Sequence, residues 1–194
     1  PPRSLFDEAN KLRRQSVEIM RRLDAAGIDS FLPDLPGCNE SLQPLASQTL
    51  AGWRGAAQAA AAHFSATHLL TIRAGALLAP QDLPGWRYAP FSGASALRGM
   101  LRARVIAARE AGRSETLESL QEVGRTQGLD LAGYRIGPEL FGELEQARVE
   151  ESDTLADIAQ DAVGGSGLWL RAEPDEAPQQ ADALAAILTA GLGQ

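Results

Sequence analysis

Thr71-Ile72-Arg73-Ala74-Gly75 is the window of this chain framed for covalent chemistry. An apolar, β-branched run over residues 67–72 ends in a tight Ala-Gly step, and a second apolar run follows at once. Strand, sharp turn and helix is the layout of a nucleophile elbow, in which G-x-S-x-G lifts a serine hydroxyl clear of the sheet to attack a carbonyl. Gly75 supplies the second glycine, and Arg73 stands where the serine would. A guanidinium stays protonated at ordinary pH and cannot act as that nucleophile. It can instead grip a carboxylate or phosphate with its planar fork, helped by the N–H groups that open the following helix. It can equally pair with an acid of its own chain, such as Asp34 or Asp175, and lock two loops together.

Nucleophilic catalysis also needs a base within hydrogen-bond reach and a group that orients the base. The histidines are His63 and His68, and both precede the turn. Cys38, in the loop 34–41, is the remaining candidate nucleophile. Its thiolate would need a depressed pKa, which a nearby Arg73 could help to supply; otherwise it is a small residue packed in a turn. Asp175, or Glu173, follows the last strand-like run and is the candidate acid. Asn10, Lys11, Arg13 and Arg14 open the first helical stretch, where they either line the same crevice or form a solvated basic face. Arg98, Arg102 and Arg109 share one helical face, which could meet an anionic partner or pair with Glu115, Glu118 and Glu122. No metal or cofactor is called for. His63 and His68 lack a third ligand, and Gly164-Gly165-Ser166-Gly167 lacks the Lys-Ser/Thr of a phosphate loop.

These residues must be positioned by an alternating series of elements. Apolar residues at spacings of three and four predict a helix over 6–26, ended by Gly27. A short strand over 28–33 follows, then a helix to residue 64 capped by Thr49, the strand 67–72, a short helix from residue 76, and a strand over 86–91. With connections this short, the alternation implies a parallel sheet covered by helices. Residues 92–150 break the pattern. They read as a helix over 94–111, a second over 114–126 capped by Ser114, a strand or hairpin near 129–136, and a helix opened by Pro138. Residues 155–160 fit strand or helix, residues 168–172 read as a strand, and residues 179–192 as a final helix. Trp53, Trp86 and Trp169 read as core.

The totals bound the rest. At 194 residues, 44% hydrophobic and 22% charged, the chain has the composition of one folded domain. A net charge of −7 argues against general binding to nucleic acid or anionic membrane surfaces. A single cysteine excludes an internal disulfide and points to a reducing, cytoplasmic setting, and no apolar run is long enough to span a bilayer.

Several phrases in order resemble one family. Pro1-Pro2 with Phe6-Asp7-Glu8-Ala9-Asn10-Lys11-Leu12-Arg13-Arg14 is similar to the P-P-F-x-E-E-M-N-K-S-R-R opening of the exosortase A system-associated hydrolases, α/β-hydrolase-like bacterial proteins. The loop from Asp34 to Ser41 resembles their D-L-x-G-C-G-D-S, and Ile72-Arg73-Ala74-Gly75-Ala76-Leu77-Leu78 their L-R-x-G-x-L-L. Leu97-Arg98-Gly99-Met100-Leu101-Arg102-Ala103-Arg104 and Leu131-Ala132-Gly133-Tyr134 continue the likeness. The chain departs from the family opening at Lys11-Leu12-Arg13, where the family has lysine, serine, arginine.

The resemblance implies an α/β-hydrolase-like parallel sheet built from 1–91 and 151–194, with 92–150 as a helical cap. Further sheet would precede the two prolines. It also implies a role beside exopolysaccharide and PEP-CTERM sorting systems. Such folds order their triad as serine, acid, histidine, so His63 and His68 fall on the wrong side of the turn. The reading is a degenerate hydrolase that binds a small anionic or acyl ligand, or a protein partner or second copy, beside Arg73, Asn10, Lys11, Arg14 and Cys38. An esterase, thioesterase or acyltransferase working through Cys38 is the alternative. A structural protein whose crevice is closed by an Arg73 salt bridge is a third.

Overall fold

A computed structural model describes residues 5–171 and 173–193. Three short strands, β1 (Leu69–Ile72), β2 (Gly85–Tyr88) and β5 (Leu155–Ile158), form a parallel sheet in the order β1-β2-β5. Leu69 pairs with Gly85 and Gly85 with Leu155, so the three strands start level. Helices α1 (Asp7–Ala25) and α7 (Pro178–Leu192) cover one face. Leu12, Ile19 and Leu23 of α1 and Leu184 and Leu188 of α7 bury there against Leu70, Ile72, Tyr88 and Ile158. On the other face lies α2 (Leu50–His63), capped as its sequence predicts by Thr49 Oγ1, which accepts from the Gly52 N–H at 2.9 Å.

The protein is thus a mixed α/β structure with a small parallel sheet between helices. The three strands that pair among the described residues fall short of a full α/β-hydrolase sheet. The expected strand over 28–33 does not form. A cavity lined by Phe31, Pro33 and Leu35 on one side and Leu69 and Leu70 on the other separates this segment from β1, the edge strand it would have to join.

Residues 89–154 connect β2 to β5 and contain α3 (Gly93–Glu110), α4 (Leu117–Gln127), the antiparallel hairpin β3 (Leu129–Leu131) and β4 (Tyr134–Ile136), and α5 (Pro138–Gln146). Their apolar faces form a second core that includes Leu97, Leu101, Leu120, Ile136 and Phe141 and extends to Phe6, Trp53 and Leu77. The ends of this block are clasped, because the Gly93 N–H donates to the Ala147 carbonyl at 3.2 Å. A Cβ at Gly93 would lie 2.6 Å from the Leu144 carbonyl oxygen, so only glycine permits the approach. Helix α4 begins later than expected. Thr116 and Ser119 form a reciprocal capping box, while Glu115 reaches back to Arg104.

Two further differences concern chain that the sequence reads as regular. Residues 73–78 form a six-residue, fully buried 3-10 helix rather than an α-helix starting at 76. Pro80 limits its length, since the residue before a proline avoids helical dihedrals. Residues 168–170 form a single 3-10 turn instead of a strand, and residue 172 of that expectation lies outside the described residues. Leu168 enters the core while Trp169, next to it, reaches Tyr88 and Arg73. A strand would send those neighbours to opposite faces. Residues 155–160 resolve into β5 and a four-residue helix, α6 (Gln160–Val163).

Candidate functional site

Ligand crevices of parallel sheets lie at the carboxyl ends of the strands, and Arg73 sits there, directly after β1. Its backbone has φ +55°, a left-handed conformation uncommon for a non-glycine residue. The turn therefore has the strained character of an elbow. Two more such residues stand around it, Phe6 at φ +57° before α1 and Ala89 at φ +46° after β2. Residues held in such conformations cost about 1–3 kcal/mol each and persist where the surrounding structure over-determines them.

The three segments are joined by the Arg73 guanidinium. Nη2 donates to Glu8 Oε1 at 3.1 Å, and Nε donates to the same carboxylate at 3.3 Å. Nη1 donates to the Ala89 carbonyl at 3.3 Å. The Phe91 ring centroid lies 3.9 Å from Cζ and the Trp169 ring 4.3 Å. The Phe91 N–H in turn donates to the Arg73 carbonyl at 3.3 Å. The guanidinium side chain is only 11% exposed. Its acid partner is thus Glu8, rather than Asp34 or Asp175.

Below this cluster the Tyr88 ring packs edge-on to Trp169, with centroids 5.7 Å apart, and its hydroxyl donates to Gln160 Oε1. Burial pushes the Tyr88 phenol up to about 12, against smaller opposing effects from the Gln160 hydrogen bond and the Arg73 charge. A phenol held neutral in this way is no base at ordinary pH.

The other sequence candidates go elsewhere. Asn10 Nδ2 donates to the Tyr134 hydroxyl at 2.9 Å, tying α1 to the β3–β4 hairpin. Arg14 pairs with Glu176 at 2.7 Å, Arg13 faces Asp34 at 3.9 Å, and Lys11 is half-buried in the same part of α1. Asp175 faces Arg171 at 3.9 Å and accepts the Glu176 N–H at 2.8 Å. Cys38 is half-buried in a turn closed by Cys38 N–H to Leu35 O and Ser41 N–H to Cys38 O, both 3.0 Å, and packs against the core that holds Trp53. His68 stacks on Trp86 and His63 edges Phe64, so the two imidazoles belong to separate contacts. Arg98, Arg102 and Arg109 are exposed on α3, and of the acids expected to pair with them Glu115, which lies just before α4, is held instead by Arg104, whose Nε donates to it at 2.9 Å. Among the described residues no group of three or more His, Cys, Asp or Glu could hold a metal ion. No helix among them is long and apolar enough to cross a membrane.

No family model, curated protein or solved structure matches the chain. Glu8, Ala89, Phe91 and Trp169 complete the Arg73 cluster, and no spacing pattern in the sequence pointed to them. Only Glu8 had a signal, as an acid at the start of a helix whose entry loop would border the same crevice.

Proposed function

We propose that this protein is a catalytically silent, α/β-hydrolase-like binding protein for a small acyl-type ligand, in which the position of a nucleophile has become a lock. The observation that carries this reading is the engagement of Arg73. Its fork holds Glu8 and Ala89, and two aromatic rings lie against it. An anionic ligand gripped by the same fork would have to displace the Glu8 carboxylate. The more accessible role of the cluster is to hold the loops after β1 and β2 against the start of α1. Membership of the exosortase-associated family, and with it the exopolysaccharide setting, rests on the sequence resemblance.

A panel of short- and long-chain esters and thioesters tests the reading. The expected result is hydrolysis at the rate of buffer alone, for the wild type and for Cys38→Ala alike. Turnover by the wild type that disappears in Cys38→Ala would instead establish an active enzyme using the thiol.

A further inference from the structure

The Thr71 hydroxyl is buried without a hydrogen-bond partner. Thr71 is 8% exposed, and leaving such a hydroxyl unpaired costs about 1–3 kcal/mol. Alternation along β1 separates it from Leu70 and Ile72, which bury against α1 and α7. Its side chain therefore faces α2, where it lines a cavity of about 120 Å³.

The sequence explains why space remains there. Helix α2 turns Ala56, Ala57, Ala60 and Ala61 toward the cavity, and a methyl group does not reach across to the sheet. On the far side, residues 31–35 form a wall without pairing to β1. The lining is otherwise dominated by apolar side chains such as Leu35, Leu69 and Leu78. An apolar cavity of roughly 150 Å³ is known to take benzene. Taking about 30 Å³ for each small group, the space suits about four non-hydrogen atoms, enough for the end of a short chain. Asp34 and His68 are the ionisable residues of the lining. Asp34 accepts from Asn39 Nδ2 at 3.0 Å and faces Arg13 at 3.9 Å, and its carboxylate disfavours an anionic guest.

We propose that this cavity beneath α2 binds the end of a short, neutral aliphatic molecule of alcohol or ester type. The ligand oxygen hydrogen bonds to Thr71 Oγ1, and its chain lies along the α2 alanines. This deepens the binding-protein reading above, on which it rests, by giving the site and the ligand class.

The test uses the full chain and two probes, 1-pentanol and cyclopentane, followed by amide chemical shifts. Saturable shifts centred on Ala57, Ala60, Ala61 and Thr71 are expected with both probes. Ala60→Leu, which fills the cavity, should abolish them. Thr71→Val should weaken 1-pentanol about fivefold, the value of one neutral hydrogen bond, and leave cyclopentane unchanged. Should Ala60→Leu fail to fold, the wild-type shift map and the Thr71→Val comparison decide alone. Absence of saturable shifts, shifts that persist in Ala60→Leu, or equal pentanol affinity in Thr71→Val would each overturn the proposal. Shifts confined to the outward-facing edge amides Leu70 and Ile72 would assign the gap to backbone pairing and overturn it as well. Ester turnover would defeat the silent-protein reading while leaving this shift map intact, so the two failures are distinguishable.

Discussion

If Arg73 is a lock, removing it or its partner must cost far more than loss of a surface ion pair. The Arg73 and Glu8 side chains are 11% and 23% exposed. Hydrogen bonds to a charged group in such surroundings contribute about 1.5–3 kcal/mol. The two ring contacts add about 0.5–1 kcal/mol each. Arg73→Ala should therefore destabilise by about 3 kcal/mol. Glu8→Ala keeps the rings but leaves an enclosed cation with the Ala89 carbonyl, at a cost of about 2–3 kcal/mol. The backbone supplies an internal control. At φ +55° glycine is unstrained, so Arg73→Gly should be about 1 kcal/mol less costly than Arg73→Ala. Urea unfolding followed by tryptophan fluorescence, with the Glu8→Ala/Arg73→Ala double mutant closing the cycle, gives all four numbers. Single-mutant costs below about 0.5 kcal/mol, the level of an exposed pair, would refute the lock. So would Arg73→Gly proving worse than Arg73→Ala.

Three further outcomes follow from burial, charge and packing. The Tyr88 phenol, pushed up to about 12 by burial, keeps its proton in the fold after the unfolded chain has lost it. Stability should therefore fall between about pH 10 and 12 by about 2–3 kcal/mol more in the wild type than in Tyr88→Phe, read from unfolding midpoints at each pH. The hydrogen bond from Arg104 holds the Glu115 carboxyl below the usual carboxylate range. Its contribution is present above that range and is lost as pH falls through the lowered value, so acid titration of Glu115→Gln should show a shallower loss of stability below about pH 4. At Gly124 a Cβ would come within 2.3 Å of the buried Phe141 ring. Gly124→Ala should therefore destabilise by about 1–3 kcal/mol in thermal unfolding, although alanine is the better helix former by about 1 kcal/mol.

The helices were legible because their signals are local. Thr49 caps α2, Pro138 opens α5 and the periodicity of α1 faces the core, all from residues within one or two turns. The parallel sheet was legible as alternation, but its width was not. Residues 28–33 and 168–172 have strand-like composition, yet in the fold residues 31–33 border a cavity beside β1 and residues 168–170 turn so that Trp169 lies on Arg73, arrangements that only tertiary packing sets. The site divided the same way. The turn and the substitution at Arg73 stand in consecutive residues, whereas Glu8 lies 65 positions away and Trp169 lies beyond the whole helical block. Asn10, Arg14 and Asp175 are drawn to Tyr134, Glu176 and Arg171, partners that composition alone does not rank.

The clasp between Gly93 and Ala147 has a kinetic meaning. β2 and β5 are neighbours in the sheet, yet residues 89–154 lie between them. A chain that had to close that whole loop at once would meet the slow, non-local step typical of parallel sheets. If the local contacts of the helical block form first and tie its ends, only the flanks 89–92 and 148–154 remain to be closed. That is about a sixfold shorter loop, which lowers the closure cost by about 1.6 kcal/mol. In that order of events the helical block brings β5 to the sheet, and pulse-labelling hydrogen exchange should find the α3 and α5 amides protected before those of β5.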